Sequence, residues 1–129
     1  MAITVRWDNE EKTIIRWDFS GRWTAEDLYE AHARTMALAQ AVDHTVYGLG
    51  VVQGPSPVNF STVNEQLMGR WPANMQRFVF VGASGLMEAT FSLMARTSSR
   101  VPRMVFVETR AEAYEIITQL HLKEIYVSS

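Results

Sequence analysis

The stretch Thr45-Val46-Tyr47-Gly48-Leu49-Gly50-Val51-Val52 is apolar almost throughout. A short apolar run without in–out alternation fits a strand covered on both faces, as in sheets sandwiched between helices. Gly48 and Gly50 weaken this strand, and their missing side chains predict the close approach of a helix. The remaining elements follow from what lies on either side.

Upstream, Ile3, Val5 and Trp7 alternate with Thr4, Arg6 and Asp8, and Ile15, Trp17 and Phe19 alternate with Arg16, Asp18 and Ser20. Both runs have the period of a half-buried strand, and the polar Asn9-Glu10-Glu11-Lys12 between them predicts a β-hairpin. Keeping the apolar residues of both strands on one face permits only alternate registers. The register that sets Arg6 opposite Asp18 and Asp8 opposite Arg16 is expected, because opposed charges contribute roughly 0.2–1 kcal/mol and like charges cost as much. Gly21-Arg22-Trp23 then breaks the strand. Thr24 and Asp27 have the spacing of a capping box, with a helix to about Ala41 whose apolar face carries Leu28, Ala31, Thr35, Leu38 and Val42. Glu30 and Arg34 form an i,i+4 pair on it.

Downstream, Ser56-Pro57 has the form of an N-cap with proline at the first helical position, and Phe60, Val63 and Leu67 mark a second helix that ends near Gly69. Arg77 to Val81 is strongly β-forming. Gly82-Ala83-Ser84-Gly85 leads into a third helix from Leu86 to about Thr97, and Met104 to Val107 is a fifth strand. Thr109 and Glu112 form a second capping box, opening a helix to about Leu122 with Ala113, Ile116, Ile117 and Leu120 inward. The order ββαβαβαβα predicts an α/β fold: a mixed sheet of about five strands, parallel after the hairpin and flanked by helices.

The 129 residues fit a single domain spanning 1–129, and 47% hydrophobic content is too apolar for disorder. The absence of cysteine excludes disulfides, thiolate chemistry and iron–sulfur clusters. A net charge of -2 argues against a general nucleic-acid binder. No apolar run approaches the ~20 residues that span a bilayer. Arg6 interrupts the N-terminus before a signal-peptide core could form, so a cytoplasmic location with no membrane association is expected.

The hairpin, the phrase Phe19-Ser20-Gly21-Arg22-Trp23-Thr24-Ala25-Glu26-Asp27 and the run Phe78-Val79-Phe80-Val81-Gly82 resemble STAS-like proteins, the relatives of bacterial anti-sigma-factor antagonists. The resemblance covers roughly residues 3 to 122 and implies a non-enzymatic regulatory module. A related layout occurs in small lipid-binding proteins of the CRAL-TRIO kind. The antagonists carry a phosphorylated serine beside an acidic residue after the equivalent of Thr45–Val52. Here that stretch is Gln53-Gly54-Pro55-Ser56-Pro57, with no Asp-Ser pair, so a phosphoswitch is not expected at Ser56 or Ser61.

His32, His44 and His121 lie on separate elements without ligand spacing, so no metal site is expected. No base–nucleophile pair is visible, and Gly82-Ala83-Ser84-Gly85 falls short of a nucleophile elbow, a Walker loop or a dinucleotide fingerprint. An enzyme and a cofactor are therefore not expected. The same turn, glycine-flanked at a helix start, suits an anion, although a tight ligand-free connection is the commoner use. Arg96, Arg100 and Arg103 cluster with Ser98 and Ser99 as a solvated loop or an acidic partner's contact. Trp23 and Trp71 stand at element ends beside Arg22 and Arg70, where either could line a pocket or a dimer contact.

In open parallel sheets ligands collect at the carboxyl ends of the strands. That edge assigns Arg22, Trp23, Ser56, Gly82, Ser84 and Gly85 to a ligand- or partner-binding surface, suited to a small anionic ligand or an acidic group. The leading expectation is a regulatory or protein-interaction module that forms a homodimer. The alternative is a carrier that binds a small apolar or amphipathic ligand between helices and sheet.

Overall fold

The computed structural model describes residues 2–53, 71–83, 85, 88, 89, 92, 96 and 101–128. The expected second helix, Ser56, Ser61, Ser84, and most of the third helix lie outside them. Strands β1 (Ile3–Trp7) and β2 (Ile14–Phe19) precede helix α1 (Ala25–Gln40). Strands β3 (Val46–Val52), β4 (Met75–Val81) and β5 (Arg103–Val107) follow, and helix α2 (Arg110–Ser128) closes the chain. The five strands form one sheet in the order β1-β2-β3-β4-β5. β1 pairs antiparallel with β2, and every later pair is parallel. The fold is thus the expected α/β type with a mixed sheet.

Helix α1 starts where expected. Thr24 Oγ1 accepts from the Asp27 N–H at 3.2 Å, and the Asp27 carboxylate accepts from the Thr24 N–H at 2.8 Å. The box satisfies two backbone donors that the helix leaves open, which is worth about 1 kcal/mol. Its other end is closed by a residue far away in sequence. Asn74 Nδ2 donates to the carbonyls of Ala39, Val42 and His44. Helix α2 extends past the expected stop at Leu122, since nothing at that point breaks it.

Helices α1 and α2 cover opposite faces of the sheet. Alternation sends Ile15, Trp17, Phe19, Phe78 and Phe80 toward α1, where Leu28, Ala31 and Ala39 are buried. Tyr47, Leu49, Val51, Val79 and Val81 point the other way and pack with Ala113 and Ile117 of α2. Burying a side chain of this size contributes roughly 1.5–3 kcal/mol. One buried polar chain runs through the α1 face: Trp17 Nε1–H donates to Thr35 Oγ1 at 2.7 Å, and that hydroxyl donates to the Ala31 carbonyl at 2.9 Å.

Gly48 and Gly50 make room for aromatic rings of the next strand rather than for a helix. Gly48 pairs with Phe78 and Gly50 with Phe80. A Cβ on either glycine would come within 2.2 Å of Phe78 or 2.7 Å of Phe80. The rings of Phe78 and Phe80 stack at 4.6 Å over this floor, and Phe106 continues the stack at 5.4 Å from Phe80.

The hairpin register departs from the expectation: Arg6 faces Arg16, and Thr4 faces Asp18. The turn decides it. Lys12 N–H donates to the Asn9 carbonyl, Lys12 takes the left-handed conformation at φ 57, and Asn9 Oδ1 accepts from the N–H groups of Thr13 and Ile14. This closure pairs Asp8 with Ile14 and carries the ladder back from there. The two arginines are reconciled diagonally. Arg16 binds Asp18 at 3.0 Å and Asp8 at 3.4 Å, while Arg6 lies 3.8 Å from Asp18.

The sheet's two margins differ. On β1 the even residues bond to β2, so the Val5 carbonyl faces outward, and Arg34 Nε on α1 donates to it at 2.7 Å. Arg34 therefore covers the sheet edge instead of pairing with Glu30 as its spacing suggests. On β5 the Val107 carbonyl accepts from Gly82 N–H, so Arg103, Val105 and Val107 bond toward β4, leaving the backbone groups of Met104 and Phe106 outward. Among the described residues no strand pairs with that outer edge.

Candidate functional site

Two ends of the sheet carry polar groups. At the carboxyl ends, Gln53 N–H donates to the Phe19 carbonyl at 3.0 Å and Gly82 N–H to Val107 at 3.1 Å, drawing the strand ends together. Gly82 adopts φ 73, and a side chain there would press to 3.0 Å from the Val52 carbonyl, so the turn requires glycine. Arg22, Gly82 and Gly85 are exposed. Parallel topology puts Arg22 and Gly82, which follow β2 and β4, on one edge. Ser56 and Ser84 lie outside the described residues.

Trp23 is a correction. It is only 3% exposed, with its ring edge-on to Phe19 at 5.4 Å. A large apolar ring at the helix entry gains more from the aromatic core than from the surface, which leaves little of it to lose area in a dimer contact. Trp71 is half-buried, stacked on Trp17 at 6.1 Å and edge-on to His32 at 4.8 Å. The other histidines also have structural neighbours: His44 Nε2 lies 2.7 Å from the Lys12 carbonyl, and His121 sits edge-on to Tyr47 at 6.2 Å. Among the described residues no group of acidic and histidine side chains is placed to hold a metal ion, and no helix is long and apolar enough to cross a membrane.

The second polar end was missed from sequence. A cleft of about 280 Å³ opens at the amino ends of β3 and β4, under the later turns of α2. Thr45, Tyr47, Arg77, Leu120, Lys123 and Glu124 form most of its wall. Tyr47 Oη donates to Glu124 Oε2 at 2.8 Å, and Thr45 Oγ1 donates to Oε1 of the same carboxylate. Burial first, then this hydrogen bond and the carboxylate's charge, hold the Tyr47 phenol well above the ordinary tyrosine value of 10.0, with Arg77 opposing. Tyr47 is therefore a fixed donor, not a base. Arg77 Nη1 donates to the Gln76 carbonyl at 3.1 Å, and Arg103 stands opposite Arg77 in the ladder. The signal available in sequence was slight: Tyr47 is the polar-tipped residue of an otherwise apolar strand, and Glu124 lies one turn past Leu120.

A third group is structural. Tyr114 on α2 donates to the Asp8 carboxylate at 2.8 Å, joining the Arg6–Asp18–Arg16–Asp8 chain to the helix. Burial, then the Asp8 hydrogen bond and charge, raise the Tyr114 phenol. Burial opposes the Arg16 charge, yet the hydrogen bond to Asp18 and its charge, then the hydrogen bond to Asp8, leave the guanidinium more basic than usual. This network pins the hairpin to α2.

Comparison of the chain with protein-family models, with curated proteins and with solved structures found no match.

Proposed function

We propose that this chain is a non-enzymatic interaction module of the STAS-like type, acting as a regulatory partner and self-associating through β5. The observation that carries the reading is the contrast between the sheet's margins. Arg34 occupies the outward Val5 carbonyl on β1, whereas Met104 and Phe106 direct backbone donors and acceptors away from the sheet. An open strand edge is a template for another strand, and natural proteins usually cover or charge such edges. Here the edge residues Met104, Val105, Phe106 and Val107 are apolar and half-buried. Antiparallel pairing of two copies about Val105 would set Met104 opposite Phe106, the two residues whose backbone groups face outward. Such a contact is isologous and closes on itself. Arg22, Gly82 and Gly85 at the carboxyl edge would then serve a partner's acidic group. The βα order, with a hairpin followed by parallel strands, supports the STAS-like reading.

A carrier of a small amphipathic ligand is the second reading, favoured by the cleft between α2 and the sheet. Native mass spectrometry of protein purified from its own host separates the two. A retained protein partner or second copy supports the module. A monomer carrying a small molecule supports the carrier and opposes the module.

A further inference from the structure

The geometry points to a binding site for a small amphipathic oxyanion, such as a short carboxylate with an apolar stem, in the cleft between Arg77 and Lys123. The inference deepens the carrier reading, though it holds whether or not the chain self-associates.

The argument begins with charge. Arg77, Lys123 and Glu124 line one small cavity, so an ion pair among them would be the simplest outcome. It does not form. The Glu124 carboxylate is taken by two hydroxyl donors, Thr45 and Tyr47, and among the described residues neither Arg77 nor Lys123 has a carboxylate within salt-bridge distance. Arg77 spends one Nη1 hydrogen bond on the Gln76 carbonyl and keeps the rest of its five-donor fork. Arg103, its ladder neighbour, lies outside the cleft wall, so the cations of the cleft are Arg77 and Lys123. The cleft therefore has cations in excess of its available carboxylate.

The shape then selects the rest of the ligand. Leu120 and the ring of Tyr47 supply apolar wall beside the cations. At about 280 Å³ the volume falls just below the range of roughly 300–1,000 Å³ seen for ligand pockets, which suits a small molecule and not a lipid chain. The Tyr47 and Thr45 protons are already given to Glu124, so the oxyanion belongs at the Arg77–Lys123 side. A guanidinium fork and an ammonium together recognise carboxylate or phosphate oxygen.

Backbone-amide NMR titration of the full chain with benzoate, with butyrate and with inorganic phosphate tests the assignment. Saturable benzoate shifts centred on Tyr47, Arg77, Leu120 and Lys123 are expected, weakened at least tenfold in Arg77→Gln and in Lys123→Gln with the spectrum otherwise intact. A Glu30→Gln variant, exposed on α1 across the sheet from the cleft, should bind as the parent does. Shifts centred on Arg22 and Gly82, or binding unchanged in Arg77→Gln and Lys123→Gln, would overturn the site. Phosphate binding as tightly as benzoate would overturn the amphipathic ligand class.

Discussion

The ring of Phe78 lies directly over Gly48, so close that a methyl group on that glycine would stand 2.2 Å from Cδ2. The neighbouring Gly50 and Phe80 repeat the arrangement. The interior strand β3 gives up two side chains so that the aromatic stack of β4 can lie flat between the sheet and α1. Overpacking a fitted core costs about 1–3 kcal/mol. Gly48→Ala is expected to lose at least that much in urea unfolding, because the rigid ring cannot swing away without displacing Trp17, 5.2 Å from it. In Phe78→Leu the same Gly48→Ala change should cost less. Equal costs in both backgrounds would show that the glycine serves some other purpose.

Thr35 accepts the buried indole N–H of Trp17 at 2.7 Å. Replacing it with valine keeps the shape and strands the donor, at a cost of about 1–3 kcal/mol. Trp17→Phe also makes a cavity, so the informative quantity is the coupling between the two positions. A double-mutant cycle with Thr35→Val should give a coupling energy of about 0.5–3 kcal/mol. Additive losses would contradict a direct bond.

Two phenols, Tyr47 and Tyr114, are raised above the ordinary value of 10.0 by burial and by carboxylate acceptors. Above that pH an unfolded tyrosine loses its proton while the folded one keeps it. Their contribution to stability is therefore complete below pH 10.0 and declines as pH rises above it. Absorbance titration should show two phenols ionising late, and Tyr47→Phe should remove one of them. Four phenols titrating together near the ordinary value would contradict the burial of both sites.

Arg16 sits between Asp8 and Asp18 with its side chain 14% exposed. Arg16→Met leaves the Asp8 carboxylate with only the Tyr114 hydroxyl and the Asp18 carboxylate with only the exposed Arg6 at 3.8 Å. A loss of about 1–3 kcal/mol is expected in chemical denaturation. The exposed Arg6, beyond hydrogen-bond distance of Asp18, should cost below about 1 kcal/mol when replaced by methionine. The reverse ranking would show that the outer pair, not the inner one, holds the hairpin.

Local features of the fold were legible from the chain alone. The Thr24–Asp27 box spans three residues, and strand faces follow from alternation, so both depend on neighbours in sequence. Hairpin register was not legible, because pairing rules weigh opposed charges while the Asn9–Lys12 closure sets where the ladder begins. Lys12 in a left-handed conformation carries no sequence signal comparable to glycine. The fate of Trp23 was misread for a related reason: position at an element end says nothing about whether a core ring, here Phe19, waits to receive the side chain. The cleft was beyond reach altogether. Thr45 and Glu124 are 79 residues apart in sequence, and no period or motif announces that a strand start and a late helical turn share a carboxylate.

Self-association through β5 is tested most directly by light scattering of the purified chain at tens of micromolar, beside Met104→Pro. Proline at that position removes an outward N–H while leaving the β4 ladder its bonds, because Met104 does not donate toward β4. The account predicts a dimer for the parent chain and a folded monomer for Met104→Pro. A monomeric parent, or a dimer that survives the proline, would contradict it.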